Sequence, residues 1–176
     1  MNKINIQYFK TPVGEIILGS YDNKLCMADW RYRKMRTSID ARLQKGLNTT
    51  YVEEDSTVLK LAREQLDAYF QGKRKIFDVP LLLVGTQFQK SVWQGLTKIP
   101  FGTTASYLDL AKSINNEKAI RAVASANGAN AISIFIPCHR IIGSDGSLVG
   151  YAGGLDVKKK LLEIENNLPT VKELDA

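Results

Sequence analysis

Cys138 and His139 stand side by side, and His139 is the only histidine among 176 residues. Pro137 precedes the pair and Arg140 follows it. A thiol beside an imidazole supplies the parts of an activated thiolate nucleophile. A carboxylate would complete the set, and Glu165, at the edge of an apolar helical stripe, is the candidate. A carboxylate facing a core needs a cationic or donor partner, or it takes up a proton. His139, Arg140 and simple exposure are three open answers for Glu165. Between Gly143 and Gly154 lie five of the 13 glycines, with Tyr151 set among them. Such density permits turns and close approach to a flat ligand, and Tyr151 fits the wall of such a site. The loop lacks a G-K-[ST] ending, so it is not a phosphate-cradling P-loop.

The counts exclude several chemistries. One histidine rules out a His-rich metal site, a two-histidine relay and a zinc deaminase with three Cys or His ligands. A cysteine protease draws its Cys and His from separate segments in direct contact, which adjacent residues do not match. Cys26, in an apolar strand, reads as a small buried hydrophobe. Two cysteines without C-x-x-C spacing argue against a disulfide framework and fit free thiols in a reducing cytosol.

The elements that must position these groups follow from periodicity. INIQYF, GEIILGSY and KLCMADW read as strands separated by Thr11-Pro12-Val13-Gly14 and Asp22-Asn23 turns. Residues 56–71 turn helical, with Ser56 as cap and Gly72 as stop. Phe88, Val92, Trp93 and Leu96 mark another helix. Residues 80–86 connect a β-rich first domain, 1–80, to a mainly helical second domain, 81–176. Ser106 with Asp109 forms a capping box for a helix through Ser113, and a second helix over about 117–126 ends at Asn127-Gly128. This pair is a helix-turn-helix candidate. Ile132–Ile136 reads as a buried strand that delivers Pro137-Cys138-His139-Arg140, which would turn Cys138 and His139 to opposite faces and leave a bridging water between them. A last helix over 156–168 buries Val157, Leu161, Ile164 and Leu168.

With 44% hydrophobic and 24% charged residues, the chain is that of a folded globular protein. No apolar run reaches the roughly 20 residues of a membrane helix, and the first residues lack the order of a signal peptide. The net charge is +6. Residues 31–46 contribute six basic groups against one acid, which fits either a phosphate-attracting face or a solvated helix or loop.

The stretch PCHRIIGSDGSLVGYAGGLDVKKKLLEIE resembles the active-site region of the O6-alkylguanine-DNA alkyltransferases, the methylated-DNA–protein-cysteine methyltransferases. TPVGEIILGSYDNKLCMADW, LDAYFQGKRKIFDVPL, GTQFQKSVWQGLTKIPFGTTASYLDLA and AIRAVASANGANAISIFIPCHR extend the resemblance over nearly the whole chain. It implies an α/β N-terminal domain, a small three-stranded antiparallel sheet with helices, followed by a mainly α C-terminal domain containing a helix-turn-helix. It also implies irreversible transfer of an alkyl group from O6-alkylguanine in DNA, with O4-alkylthymine as a further candidate substrate, to the protein's own Cys138, once per molecule. His139 then matches the base acting through a water, and Glu165 the carboxylate that orients it. Asn130 matches the hinge asparagine, and Tyr107 the tyrosine that protonates the leaving guanine at N3. Tyr151 and Ala152 match the base pocket. Arg121 matches the finger that fills the gap left by the extruded nucleotide, from a helix in the minor groove. The partner implied is duplex DNA bearing alkylated guanine, met by a cytoplasmic monomer that needs no cofactor, metal or membrane.

Three departures accompany the resemblance. The ligands of the zinc site that some relatives carry near the N-terminus are missing, and so is any match to the zinc-bearing regulatory domain of adaptive-response relatives. Gly128 and Ala152 stand where some members have Arg and Ser. Two other readings meet difficulties. A non-catalytic lesion-binding relative would have replaced Cys138, and a plain helix-turn-helix module leaves Cys138, His139 and the glycine loop unexplained.

Overall fold

The β-branched and aromatic residues of the first thirty positions form three consecutive strands, β1 (Ile4–Thr11), β2 (Gly14–Tyr21) and β3 (Lys24–Trp30). The computed structural model describes residues 2–166. Asp22 and Asn23 both take positive φ, 52° and 63°, the conformation of a tight hairpin turn that short polar side chains tolerate. β1 pairs antiparallel with β2, and β2 with β3. The sheet is larger and less uniform than the expected three antiparallel strands. β4 (Tyr51–Val52) pairs parallel with β1, giving the order β3-β2-β1-β4. A two-residue strand has no periodicity to read; only its partner creates it.

Two helices belong with this sheet, α1 (Arg36–Gly46) and α2 (Thr57–Phe70). Ser56 caps α2, its hydroxyl accepting from the Leu59 amide, and Gly72 follows the helix with φ +75°. α1 buries only Ile39 and Leu43, and its first turn lies within the basic segment. Much of that segment's charge is neutralised inside the fold. Arg33 Nη1 donates to both oxygens of the fully buried Asp29 at 3.1 and 3.3 Å. Arg36 donates to Asp29 at 2.9 Å and to Asp40, whose Oδ1 also accepts from the Tyr51 hydroxyl at 2.6 Å. Arg31 pairs with Glu15 at 3.0 Å and stacks on Tyr8. Removing one partner of a buried ion pair leaves the other charge uncompensated, at a cost of about 3–5 kcal/mol. Asp29→Ala is therefore expected to lower the first unfolding transition by about 10 °C. Trp30 fluorescence, isolated in a Trp93→Phe background, would follow it.

Two compact units make up the chain. The first runs to Gly85 and takes in Ala131–Ser133; the second comprises Thr86–Asn130 and the chain from Ile134. Ala131–Ser133 lie along β3: Ala28 N donates to Ala131 O at 2.8 Å, and Ser133 N to Ala28 O at 2.7 Å. The strand expected over Ile132–Ile136 therefore does not form as such. Only isolated bridges occur there, and Ile134 takes φ +73°. A β-branched residue in that region is strained, by about 1–3 kcal/mol.

The second unit is helical: α3 (Gln87–Leu96), α4 (Tyr107–Ser113), α5 (Ile120–Gly128) and α6 (Leu155–Ile164). Thr86 and Ser106 each form a full capping box, with Gln89 and Asp109. Gly95 lets α3 approach α4, since a Cβ there would lie 3.0 Å from Ile114 Cγ2 and 3.1 Å from Leu110 Cδ1. α4 and α5 are the helix-turn-helix pair, joined through Asn115 in positive φ and a 3-10 turn at Glu117–Ala119. α5 continues through Asn127 and Gly128 instead of ending before them, and Ala129 caps it. α6 stops at Ile164, with Glu165 as its C-cap residue. Its buried side chains are Lys158, Leu161 and Leu162, while Val157 and Ile164 are half-buried. Leu168, read from the sequence as part of this face, lies outside the described residues.

Candidate active site

Cys138, His139 and Arg140 occupy a single 3-10 turn, held by Arg140 N donating to Pro137 O at 3.0 Å and Ile141 N to Cys138 O at 3.3 Å. The strand alternation expected for Cys138 and His139 does not apply, because Pro137 ends extended pairing and the backbone curls. Ala105 N donates to Arg140 O and Ile142 N to Ala105 O, so the turn is fastened just before α4.

Asn130 closes the loop before the turn. Its amide donates to Ile136 O at 2.9 Å and to Cys138 Sγ at 3.2 Å. A buried sulfur that accepts from an amide is better able to carry negative charge. Cys138 is buried, 4% exposed. Cys26, in contrast, is a thiol that burial pushes up to about 12, and it stays protonated.

His139 is fully buried, and its Nε2 meets Glu165 Oε2 at 2.8 Å. Burial holds its pKa below the ordinary imidazole value, against the pull of Glu165, so the ring is neutral. A carboxylate only accepts; the ring proton therefore sits on Nε2, and Nδ1 carries the lone pair. Nδ1 has no hydrogen-bond partner among the described residues. It is a base with its lone pair free.

Glu165 has both His139 and Arg140 as partners. Arg140 Nε donates to Oε1 at 2.8 Å and Nη2 to Oε2 at 3.1 Å, a bidentate fork, while Nη1 reaches Ile99 O at 2.6 Å. Burial works to raise this carboxyl, but His139 and Arg140 outweigh it and hold it down at about 2. The sequence left these pairings as alternatives, and the geometry uses both because Arg140 offers a planar fork and Glu165 has two oxygens.

Tyr107 opens α4 and is half-buried; burial raises its phenol, and a hydrogen bond from Asn127 opposes the rise. Tyr151 is half-buried with its ring 6.4 Å from that of His139, edge to face, and Ala152 beside it is half-buried too. Arg121 is exposed near the start of α5, a helix whose outer residues, Ala122, Ser125 and Gly128, are small. No Cβ contact limits a side chain at Gly128, so the Arg of some relatives would fit there facing outward. Thus Cys138, His139, Glu165 and Asn130 are linked by direct bonds or by the turn, Tyr107 and Tyr151 lie beside them, and Arg121 stands apart on the helix surface.

Arg140 entered the sequence reading only as one of the open partners of Glu165, but another residue escaped that reading altogether. Lys158 had no signal at all: among the charged residues opening α6, it alone is fully buried. Its Nζ donates to Val149 O at 2.9 Å and Gly150 O at 3.4 Å, tying the glycine loop next to Tyr151. Burial pushes its ammonium down to about 8, with Cys138 acting the other way. Among the described residues no group of three or more His, Cys, Asp or Glu could hold a metal ion.

The arrangement suits one thiolate displacement with a neutral imidazole as base. Residues 4–83 match the ribonuclease-like domain, and residues 87–167 the DNA-binding domain, of 6-O-methylguanine DNA methyltransferase. A methylated-DNA–protein-cysteine methyltransferase of Methanosarcina barkeri is 45% identical over 158 residues, 90% of this chain and 94% of that protein. The constitutive enzyme of that name from Bacillus subtilis is 40% identical over 162 residues, covering 89% and 92%. The Mycobacterium tuberculosis enzyme solved in complex with DNA superimposes with a TM-score of 0.79 at 36% identity, over 96% of this chain and 99% of that one. By sequence over both units and by fold, the chain belongs to the 6-O-methylguanine-DNA methyltransferase family, the methylated-DNA–protein-cysteine methyltransferases.

Proposed function

We propose that Cys138 is the acceptor in direct-reversal repair of O6-alkylguanine in DNA, with His139 as its base. The protein is a suicide alkyltransferase: it moves the alkyl group from the guanine oxygen to a cysteine of its own and acts once. The observation that carries the residue assignment is the neutral His139. Its Nε2 is bound to the ionised Glu165, and its Nδ1 lone pair is unshared, in the same turn as Cys138.

In this reading the Cys138 proton passes through one water to His139 Nδ1, the imidazolium being stabilised by Glu165. Asn130 donates to the sulfur as it becomes thiolate. The thiolate attacks the alkyl carbon, a carbon–sulfur bond forms, and the bond to O6 breaks with its electron pair left on the purine. Tyr107 gives a proton to N3 of that purine. The product on Cys138 is a thioether, which has no good leaving group, so the transfer ends there. A target atom inside a duplex must be brought out of the stack. α5 would enter the minor groove and Arg121 fill the gap, while Tyr151 and Ala152 line the pocket for the base.

The work divides between the first unit, which runs to Gly85 and takes in Ala131–Ser133, and a DNA-binding, active-site unit that begins at Thr86. The protein would act as a cytoplasmic monomer without cofactor. Among the described residues no helix is long and apolar enough to cross a membrane. O4-alkylthymine is a further candidate substrate for the same thiolate. Intact mass after incubation with DNA containing O6-methylguanine tests the assignment. Wild type is expected to gain one methyl group and no more, and Cys138→Ala none. A methyl group on Cys138→Ala would remove Cys138 from the mechanism.

A further inference from the structure

Among the described residues of the second unit three large apolar side chains are exposed, and each adjoins a residue of the proposed DNA site. Leu108, 37% exposed, follows Tyr107; Ile120, 39% exposed, precedes Arg121; Leu155, 48% exposed, opens α6 shortly after Tyr151 and Ala152. A single exposed apolar side chain means little, but three that fall only beside one site mark a surface. Ile120 is the most telling of them. It begins α5, where a β-branched residue is a poorer helix former than alanine, and its exposed part adds nothing to the core. Val123, Ala126 and Asn127 are the buried residues of α5, while Arg121, Ser125 and Gly128, spaced i, i+4 and i+7, form an exposed outer stripe. Neighbours on a helix point about 100° apart, so Ile120 borders that stripe beside Arg121. The exposed charges of α4, the 3-10 turn and the first turn of α5 are Lys112, Lys118 and Arg121 against Asp109 and Glu117, and Asp109 is taken up by the Ser106 capping box. The apolar side chain thus sits in a surface of positive balance, within the segment that matches a DNA-binding domain.

We propose that Ile120 is an apolar wedge for the same DNA: its side chain covers the deoxyribose wall and base edge next to the extruded nucleotide and holds that step open while Arg121 fills the gap. The inference rests on the reading that α5 enters the minor groove. Sugar C–H groups line the walls of that groove, so an isoleucine leaves water there for an apolar partner, and apolar wedges are a recurrent device for unstacking a base step. Lys118 and Arg121 beside it supply the charge that meets phosphate. The contact forms fully only when the base has left the stack, so it favours the reactive complex over the closed duplex.

Second-order rates of protein methylation test this with two substrates: duplex DNA containing O6-methylguanine, and the free base O6-methylguanine, which has no groove and needs no extrusion. Ile120→Thr keeps the β-branch and replaces the ethyl arm by a hydroxyl. It is expected to react about 3–10-fold more slowly with the duplex, the worth of covering the exposed part of one isoleucine. With the free base it should match wild type. Ile120→Leu, equally apolar, should stay within about twofold of wild type on both substrates. Ile76→Thr, at an isoleucine 77% exposed in the first unit, should change neither rate. Ile120→Ala carries the test should Ile120→Thr not fold, because alanine is the better helix former, and it is expected to lose at least as much on the duplex.

A wild-type rate of Ile120→Thr on the duplex would overturn the proposal. So would an equal loss on the free base, which would place the effect in the fold and not in the groove. An Ile120→Leu as slow as Ile120→Thr overturns it too, because apolar contact would then not be what matters. A wild type that gains no methyl group from the duplex would instead remove the repair reading itself.

Discussion

With His139 as the proposed base, Glu165→Gln is expected to slow methyl transfer by about 10²–10⁴-fold, the range expected when a general base loses the group that orients it and stabilises its charged form. The substitution keeps shape and removes charge. A glutamine can accept from Arg140 or from His139 Nε2 with its one oxygen, while its NH₂ faces the remaining donor. His139 then loses its fixed tautomer, and Nδ1 is no longer assured as the lone-pair atom. The fold suffers too, because Arg140 is buried and would keep its charge without a carboxylate, a loss of about 3 kcal/mol.

The pH dependence gives an independent check. Glu165 is held at about 2 in the fold against an ordinary 4.5. Its contribution is complete above pH 4.5 and is lost as the pH falls toward 2, about 3 kcal/mol in all. His139, held below its ordinary value of 6.5 by burial, works in the same direction over a higher window. The unfolded chain takes up its proton first as pH falls below 6.5, so stability declines there as well. Urea unfolding of wild type should show both windows, and Glu165→Gln should lack the one between 4.5 and 2. An Arg140 that tolerates the loss, seen as wild-type stability in Glu165→Gln, would mean the fork contributes little.

Lys158→Met separates activity from stability. The Lys158 ammonium is fully buried and pushed down from 10.5 to about 8. Between these values the unfolded chain holds more protons, so wild-type stability should rise with pH across that window. At neutral pH the buried charge weighs about 3 kcal/mol against the fold. Methionine has similar volume and no charge, and buried charges replaced this way are often neutral or stabilising. The melting temperature of Lys158→Met should therefore hold or rise, and the alkaline increase should vanish.

Transfer should nevertheless slow about tenfold at pH 7, the equivalent of about 1.4 kcal/mol of thiolate stabilisation. Cys138 loses a neighbouring positive charge, and the carbonyls of Val149 and Gly150 lose the donor that ties down the loop beside Tyr151. Single-turnover rates beside melting curves decide the matter. A destabilised variant with a wild-type rate would make Lys158 a purely structural residue.

How much of this was legible in one dimension depended on the range of the interaction. Ser56 and Ser106 announced their helices because a cap acts within four residues, and the three hairpin strands alternated visibly between polar turns. The Pro-Cys-His-Arg run and a lone histidine pointed to a thiolate site for the same reason: neighbours in sequence are neighbours in space. β4 and the attachment of Ala131–Ser133 to β3 left no local trace. Each depends on a partner far along the chain, and that partner overrides the apolar run that reads as a strand over Ile132–Ile136.

The sequence by itself determined the chemistry available to this protein: one reactive thiol, one imidazole, a carboxylate near a core and a glycine loop that can admit a flat base. Tertiary structure alone decided how those groups are charged and aimed. It joined Glu165 to His139 and Arg140 at once, which placed the ring proton on Nε2 and the lone pair on Nδ1. It also buried Lys158 out of a run of lysines. Protonation and direction depend on burial and on donors brought from distant segments, and those are properties of the packed chain.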